Sequence, residues 1–182
     1  SILAHLRQTK DPFLTAQALA FVDPTPAVRV NHFGTPLESG LELEAGEWMR
    51  REPRYHWQSS IDREKVAAVI RASHATIHTG RTEGGSNAIC ESIVLATPVL
   101  ATGTPANIGM LGQEYAGYFP VGDARALAAL ITSCSAPESR LLEVLAAQVR
   151  RRAPLFRAGN ESAGWKKLLE SLGTPKGHLP PA

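Results

Sequence analysis

No apolar run in this sequence approaches the ~20 residues that a membrane-crossing helix needs, and no basic start leads into an apolar stretch of signal-peptide form. A membrane span and a secretory leader are therefore not expected. Charge of one sign is also scarce: 19 Lys and Arg stand against 17 Asp and Glu, a formal net charge of +2. This is too small for a nucleic-acid surface, although it suits a small anionic ligand. Cysteine is limited to Cys90 and Cys134, each in or beside an apolar helical stretch without metal-ligand spacing, which reads as reduced thiols in a cytoplasmic protein rather than a disulfide. No metal cluster is visible, and neither a metal nor a cofactor is implied. No Gly-x-Gly-x-x-Gly follows the first strand-like segment, which disfavours a dinucleotide-dependent oxidoreductase.

What is present is an ordinary globular composition, with 43% apolar and 20% charged residues in 182. That length suits one domain burying roughly 70% of its unfolded surface. Strand-like and helix-like segments alternate throughout. Ile2 to Leu6 reads as a short buried strand, and Asp11-Pro12 as N-cap and first turn of a helix running to about Val22. Val28 to Gly34 and Tyr55 to Ser60 read as strands, Leu37 to Arg51 as a helix with Leu41, Ala45, Trp48 and Met49 inside, and Asp62 as the cap of a helix ending near Ser73. Thr97 to Ala101 is a further buried strand, Thr104 to Gly109 a turn into a short segment, and Tyr115 to Gly122 the last strand. Asp123 caps a helix, Pro137 begins another running to about Phe156, and Glu161 to Leu172 forms the last. This alternation predicts an α/β fold, a single Rossmann-like, doubly wound and mostly parallel sheet.

The most informative stretch is Glu83-Gly-Gly-Ser-Asn-Ala-Ile-Cys-Glu91. Ala75 to Gly80 before it is strand-like, and Asn87 to Ala96 within and after it has helical apolar spacing, so the segment is a loop entering a helix. Gly84 and Gly85 let the backbone turn and approach a ligand, and the free N–H groups of the first turn suit an anion such as a diphosphate. Glu83 lies before the helix and Glu91 just over a turn inside it, with its side chain tilted back toward the start. Carboxylates accept hydrogen bonds, so they suit the hydroxyls of a sugar and of a ribose on either side of a diphosphate.

A Glu pair at this spacing, between a strand and a helix and followed by Thr97-Pro-Val-Leu-Ala101, resembles the donor site of the retaining GT-B glycosyltransferases of the group-one family. The resemblance covers roughly residues 1 to 172 and is strongest from 76 to 122. It implies one half of a GT-B fold, the C-terminal, donor-binding domain, that holds a nucleoside-diphosphate sugar, with UDP-sugar as the expected form. Residues 1–172 would be this domain and 173–182 a tail. Glu83 would hold the transferred sugar, Glu91 the ribose, and the backbone of Gly84, Gly85, Ser86 and Asn87 the sugar and phosphates. The family's Lys, catalytic in easing charge onto the leaving diphosphate, falls at Lys10; Glu83 is the second catalytic candidate. The family's Arg position is occupied by His5, with Arg7 two residues later, and either can supply the second cation. Gln58 to Ser60 fall at the base-contacting loop.

Other departures are Thr79-Gly80 where Pro-Ser is frequent, and Ala96 where Gly is frequent, a change costing about 1 kcal/mol if Ala96 is left-handed. Asn107 to Gly112 and Tyr115 to Asp123 look most like the selenosugar synthase branch. The chain begins as strand without an initiator Met, and the resemblance implies a fragment whose partner, an N-terminal acceptor domain, is not included; alone it would be an inactive part of a hexosyltransferase-type enzyme. The final helix crosses to that other domain in the resembling fold, so an exposed face around Trp165 and Leu168 is expected. A non-catalytic sugar-nucleotide-binding or regulatory module is the alternative reading.

Overall fold

The computed structural model describes residues 1–25, 28–82 and 84–173. Among them, six strands alternate with eight α-helices. The strands are β1 (Ile2–Leu3), β2 (Val30–Phe33), β3 (Tyr55–Gln58), β4 (Thr76–His78), β5 (Val99–Thr102) and β6 (Tyr118–Phe119). The helices are α1 (Leu14–Leu19), α2 (Leu41–Arg51), α3 (Arg63–Ala72), α4 (Asn87–Val94), α5 (Pro105–Leu111), α6 (Ala124–Ser135), α7 (Leu141–Arg152) and α8 (Ala158–Gly173).

Every strand pair is parallel: β2 is flanked by β1 and β3, and β5 by β4 and β6. These two three-stranded sheets meet where Ser1 N donates to Ala75 O at 2.7 Å and Ile77 N to Ser1 O at 2.8 Å. The order across the molecule is therefore β3-β2-β1-β4-β5-β6, the doubly wound arrangement expected from the alternation. Winding reverses between β1 and β4, and the crevice outside the C-terminal ends of those two strands is where open α/β sheets take ligands. Strands β4 and β5 are buried at every residue, as central parallel strands covered on both faces must be.

The packing follows the amphipathic spacing. Helix α2 buries Leu41 and Ala45 and turns Glu42 and Glu47 outward, while α4 buries Ile89 and Ile93. Gly34, just past β2, abuts β1 so closely that a Cβ there would lie 1.8 Å from Ala4 O, and only glycine fits. One buried polar bridge crosses three strands: His32 Nε2 is 2.9 Å from Ala4 O and Nδ1 is 2.6 Å from Tyr55 Oη. A carbonyl only accepts, so Nε2 carries the proton and Nδ1 accepts from Tyr55. Burial pushes this imidazole down to about 4.

Several boundaries differ from expectation. Asp11 does not cap a helix; residues Gln8–Lys10 form a 3-10 turn, and Asp11 closes it in the left-handed region (φ 46°), its N–H bonded to Gln8 O at 3.1 Å. Helix α1 starts only at Leu14 and is six residues long. Thr104 to Gly109 is no mere turn: Thr104 caps α5, with Pro105 in its first turn. The last strand shrinks to Tyr118–Phe119, and Gly40, left-handed, delays α2 to Leu41. Ala96 is indeed left-handed (φ 57°).

Both cysteines are free and half-buried. Among the described residues no helix is long and apolar enough to cross a membrane. Helix α8 packs against the 153–156 turn and leaves Trp165, Leu168, Leu169 and Leu172 exposed. The expected tail lies outside the described residues except at Gly173.

Candidate functional site

The loops that leave β1, β4 and β5 at the switch point are tied to one another. Thr79 Oγ1 donates to Lys10 O at 2.7 Å, Arg81 N to Thr9 O at 2.9 Å, and Thr102 Oγ1 to Gly80 O at 2.6 Å. Asn107 Nδ2 in turn donates to Thr102 O at 2.9 Å. These bonds consume backbone carbonyls that no neighbouring strand can reach, and they lock the Arg7–Asp11 turn against the segment leading into α4. The two segments are joined a second time by charge, with Arg81 Nη2 3.0 Å from Asp11 Oδ2.

The entrance itself is open. A Cβ added at Gly84 or Gly85 would meet no heavy atom within 4 Å, so the glycines face space that the protein leaves unfilled. Ser86 is the N-cap; its Oγ accepts from Ile89 N at 3.4 Å and its carbonyl from Cys90 N at 3.0 Å. That leaves the N–H groups of Asn87 and Ala88 without an intrahelical acceptor and pointing out of the helix. Asn87 is exposed and Glu91, a turn further on, is half-buried. Glu83 lies outside the described residues.

The predicted cations separate. Lys10 lies on the turn tied to the segment leading into α4, and His5 Nδ1 accepts from Thr35 N at 3.1 Å, beside the end of β2. Arg7 is exposed at the start of the 3-10 turn. Gln58 to Ser60 are exposed at the end of β3.

Beneath Lys10 lies a polar thread that the sequence did not announce. Ser92 Oγ donates to Ala88 O at 2.6 Å, so in its 2.9 Å contact with Thr76 the Thr76 hydroxyl is the donor. His78 Nε2, 3.2 Å from Thr76 Oγ1, must then donate. Burial drives this histidine down to about 3, helped by the positive charge of Lys10. A neutral ring thus supports β4 under the cation and links it to the first turns of α4. Arg81, His78, Thr79 and Thr102 all escaped the sequence reading. A cation two residues before Glu83 was the available signal for Arg81; the others are threonines and a histidine whose partners lie far off in sequence.

The α4 entrance offers outward N–H groups beside an open glycine pair, which can hold an anion. The hollow of about 430 Å³ lined by Ser1, Val30 and Ala75 lies at the opposite ends of the strands, so topology and charge mark this site, not volume. Among the described residues, no group of three or more His, Cys, Asp or Glu is placed to hold a metal.

No protein-family model matches the chain. Glycosyltransferase 1 domain-containing protein 1 of Xenopus tropicalis is 27% identical over 117 residues, 64% of this chain and 34% of that protein. Among solved structures, Anabaena HepE in complex with UDP-glucose superposes with a TM-score of 0.78 at 17% identity, over 93% of this chain and 48% of that one. The chain has the fold of one GT-B half. Sucrose-phosphate synthase from Thermosynechococcus elongatus, TM-score 0.73 at 20% identity, again matches 94% of this GT-B half and only 45% of its own chain. The pneumococcal O-GlcNAc transferase GtfA, in complex with UDP and GlcNAc, does so at TM-score 0.74 and 19% identity, over 95% and 36%. This chain thus spans about half the length of the solved structures it matches, or less.

Proposed function

We propose that this domain holds a nucleoside-diphosphate sugar, a UDP-sugar, for glycosyl transfer with retained anomeric configuration. The observation that supports the reading is the bonding of the Lys10 turn to the segment leading into α4, across the β1–β4 switch point. In this reading the diphosphate sits between Lys10 and the backbone of Gly84 to Asn87. Glu91 accepts from the ribose hydroxyls and Glu83 from the sugar. Lys10 and the helix entrance stabilise the charge that grows on the leaving diphosphate, an interaction stronger in the transition state than before it. Arg7, exposed on the turn, is a further phosphate contact.

Residues 1–172 are the donor domain, acting in a cytoplasmic transferase of hexosyltransferase type. The acceptor wall of the cleft belongs to a second, N-terminal half, in keeping with the partial coverage of the similar enzymes. Residues 107–123 make selenophosphate the first acceptor to try, as in the selenosugar synthase branch.

Calorimetric titration tests the carboxylates. Glu91→Gln should weaken UDP and UDP-glucose alike, whereas Glu83→Gln should weaken only the sugar-bearing form, each by roughly 1.5–3 kcal/mol. Equal effects of Glu83→Gln on both ligands would remove it from the sugar site.

A further inference from the structure

Resting on the donor reading above, we propose that Arg81 supplies a further cation for the diphosphate, beyond Lys10 and Arg7, with Asp11 as the anchor that holds its guanidinium beside the Lys10 turn. The position is set by the backbone: Arg81 N–H is bonded to Thr9 O at 2.9 Å, and its side chain reaches Asp11 at the end of the same turn. His5, spent on Thr35 N–H, does not compete for the role.

The guanidinium is held but not used up. Its Nη2 lies 3.0 Å from Asp11 Oδ2, yet that oxygen accepts no aligned hydrogen bond, so the pair is one of charge and the N–H directions stay uncommitted. The Arg81 side chain is 56% exposed, while that of Asp11 is only 12% exposed. The acid is therefore the fixed partner and the arginine the accessible one. Arg81 is the charge partner of a buried carboxylate oxygen, so the pair also serves the fold, but that service needs only one edge of the guanidinium. Asp11 also occupies the left-handed region, uncommon for a non-glycine residue and frequent at functional sites.

A planar fork can give two parallel N–H groups to phosphate oxygens, where the Lys10 ammonium acts as a point charge. Asp11 restricts a long side chain before the ligand arrives, lowering the ordering cost of binding. Lys10 and Arg81 would then face the diphosphate from the two segments that the switch point brings together.

The whole chain and its Lys10→Ala, Arg81→Ala, Arg81→Lys and Asp11→Asn variants should be titrated with UDP and with uridine, after circular dichroism and a thermal midpoint have established that each is folded. Arg81→Ala should weaken UDP by about tenfold or more and leave uridine unchanged, as loss of a charged hydrogen bond does. Arg81→Lys should recover part of that loss, and Asp11→Asn should keep UDP binding within a few-fold because the cation remains. If Arg81→Ala and Asp11→Asn weaken UDP and uridine to the same extent, the pair only builds the loop and the proposal fails. If Lys10→Ala lowers the UDP-to-uridine ratio and Arg81→Ala does not, Arg81 is no ligand while the donor reading stands. A ratio unchanged in both removes the diphosphate from this site and the donor reading with it.

Discussion

His32 and His78 are both held neutral in the interior, and their titration links stability to pH. Each has a native value pushed below its ordinary one by burial, to about 4 for His32 and about 3 for His78, so the unfolded chain binds their protons first. The stability they carry is present above the ordinary imidazole range, near 6.5, and is lost as pH falls toward the native values. At pH 5 the loss should be about 2 kcal/mol from each ring relative to pH 7.5. Urea denaturation at the two pH values measures it; a midpoint that stays in place would mean that both rings bind protons in the native state as they do in the unfolded chain. His32→Gln, which keeps a donor for Ala4 O, should flatten the dependence by the share of one ring.

At the scale of the element, α4 was the most legible part of the sequence. Its apolar spacing and the glycine pair before it are local signals, and Ala96 as a left-handed helix end followed from comparison with a Gly-bearing pattern. Ala96→Gly should stabilise the chain by about 1 kcal/mol, because φ 57° strains a residue with a Cβ, provided the greater freedom of glycine in the unfolded chain does not offset it. An unchanged denaturation midpoint would place that offset at the full value of the strain. The turn before α1 was misread for a physical reason. Asp-Pro is a sound local start for a helix, and what turns Asp11 left-handed is a 3-10 turn closed on Gln8 and a charge 70 residues on, at Arg81. Helix α5 was missed because Gly109 weakens its interior; Thr104 Oγ1 accepting from Asn107 N at 3.3 Å, and Pro105 behind it, restore it. Strand β6 pairs over two residues only, fewer than its apolar run suggested, and the Tyr118 hydroxyl bonds the carbonyls of Asn107 and Gly112.

For the molecule as a whole, the proposed donor reading implies that residues 1–182 bind a UDP-sugar and transfer little of it. Bringing donor and acceptor together in a closed cleft can remove ~7–11 kcal/mol of barrier, and only the donor wall is described here. Adding an N-terminal half should restore transfer and cover Trp165 and Leu168 of α8; multiple turnovers by the chain alone, as a monomer at equilibrium, would overturn this. The join between the two sheets has a consequence of another kind. Described backbone bonds at that join are few, Ser1 to Ala75 and Ile77 to Ser1, and the loops above it add Thr79 to Lys10 and Arg81 to Thr9. A diphosphate gripped by Lys10 on one side and by α4 on the other would act as a rivet through that line. The amide protons of Ile77 and Arg81 should then exchange with deuterated solvent more slowly when UDP is present, by up to about 2.7 kcal/mol of opening energy at a hundredfold excess over Kd. Amides buried within a single sheet, such as that of His32, should respond less if the two sheets part along this line before either of them unravels.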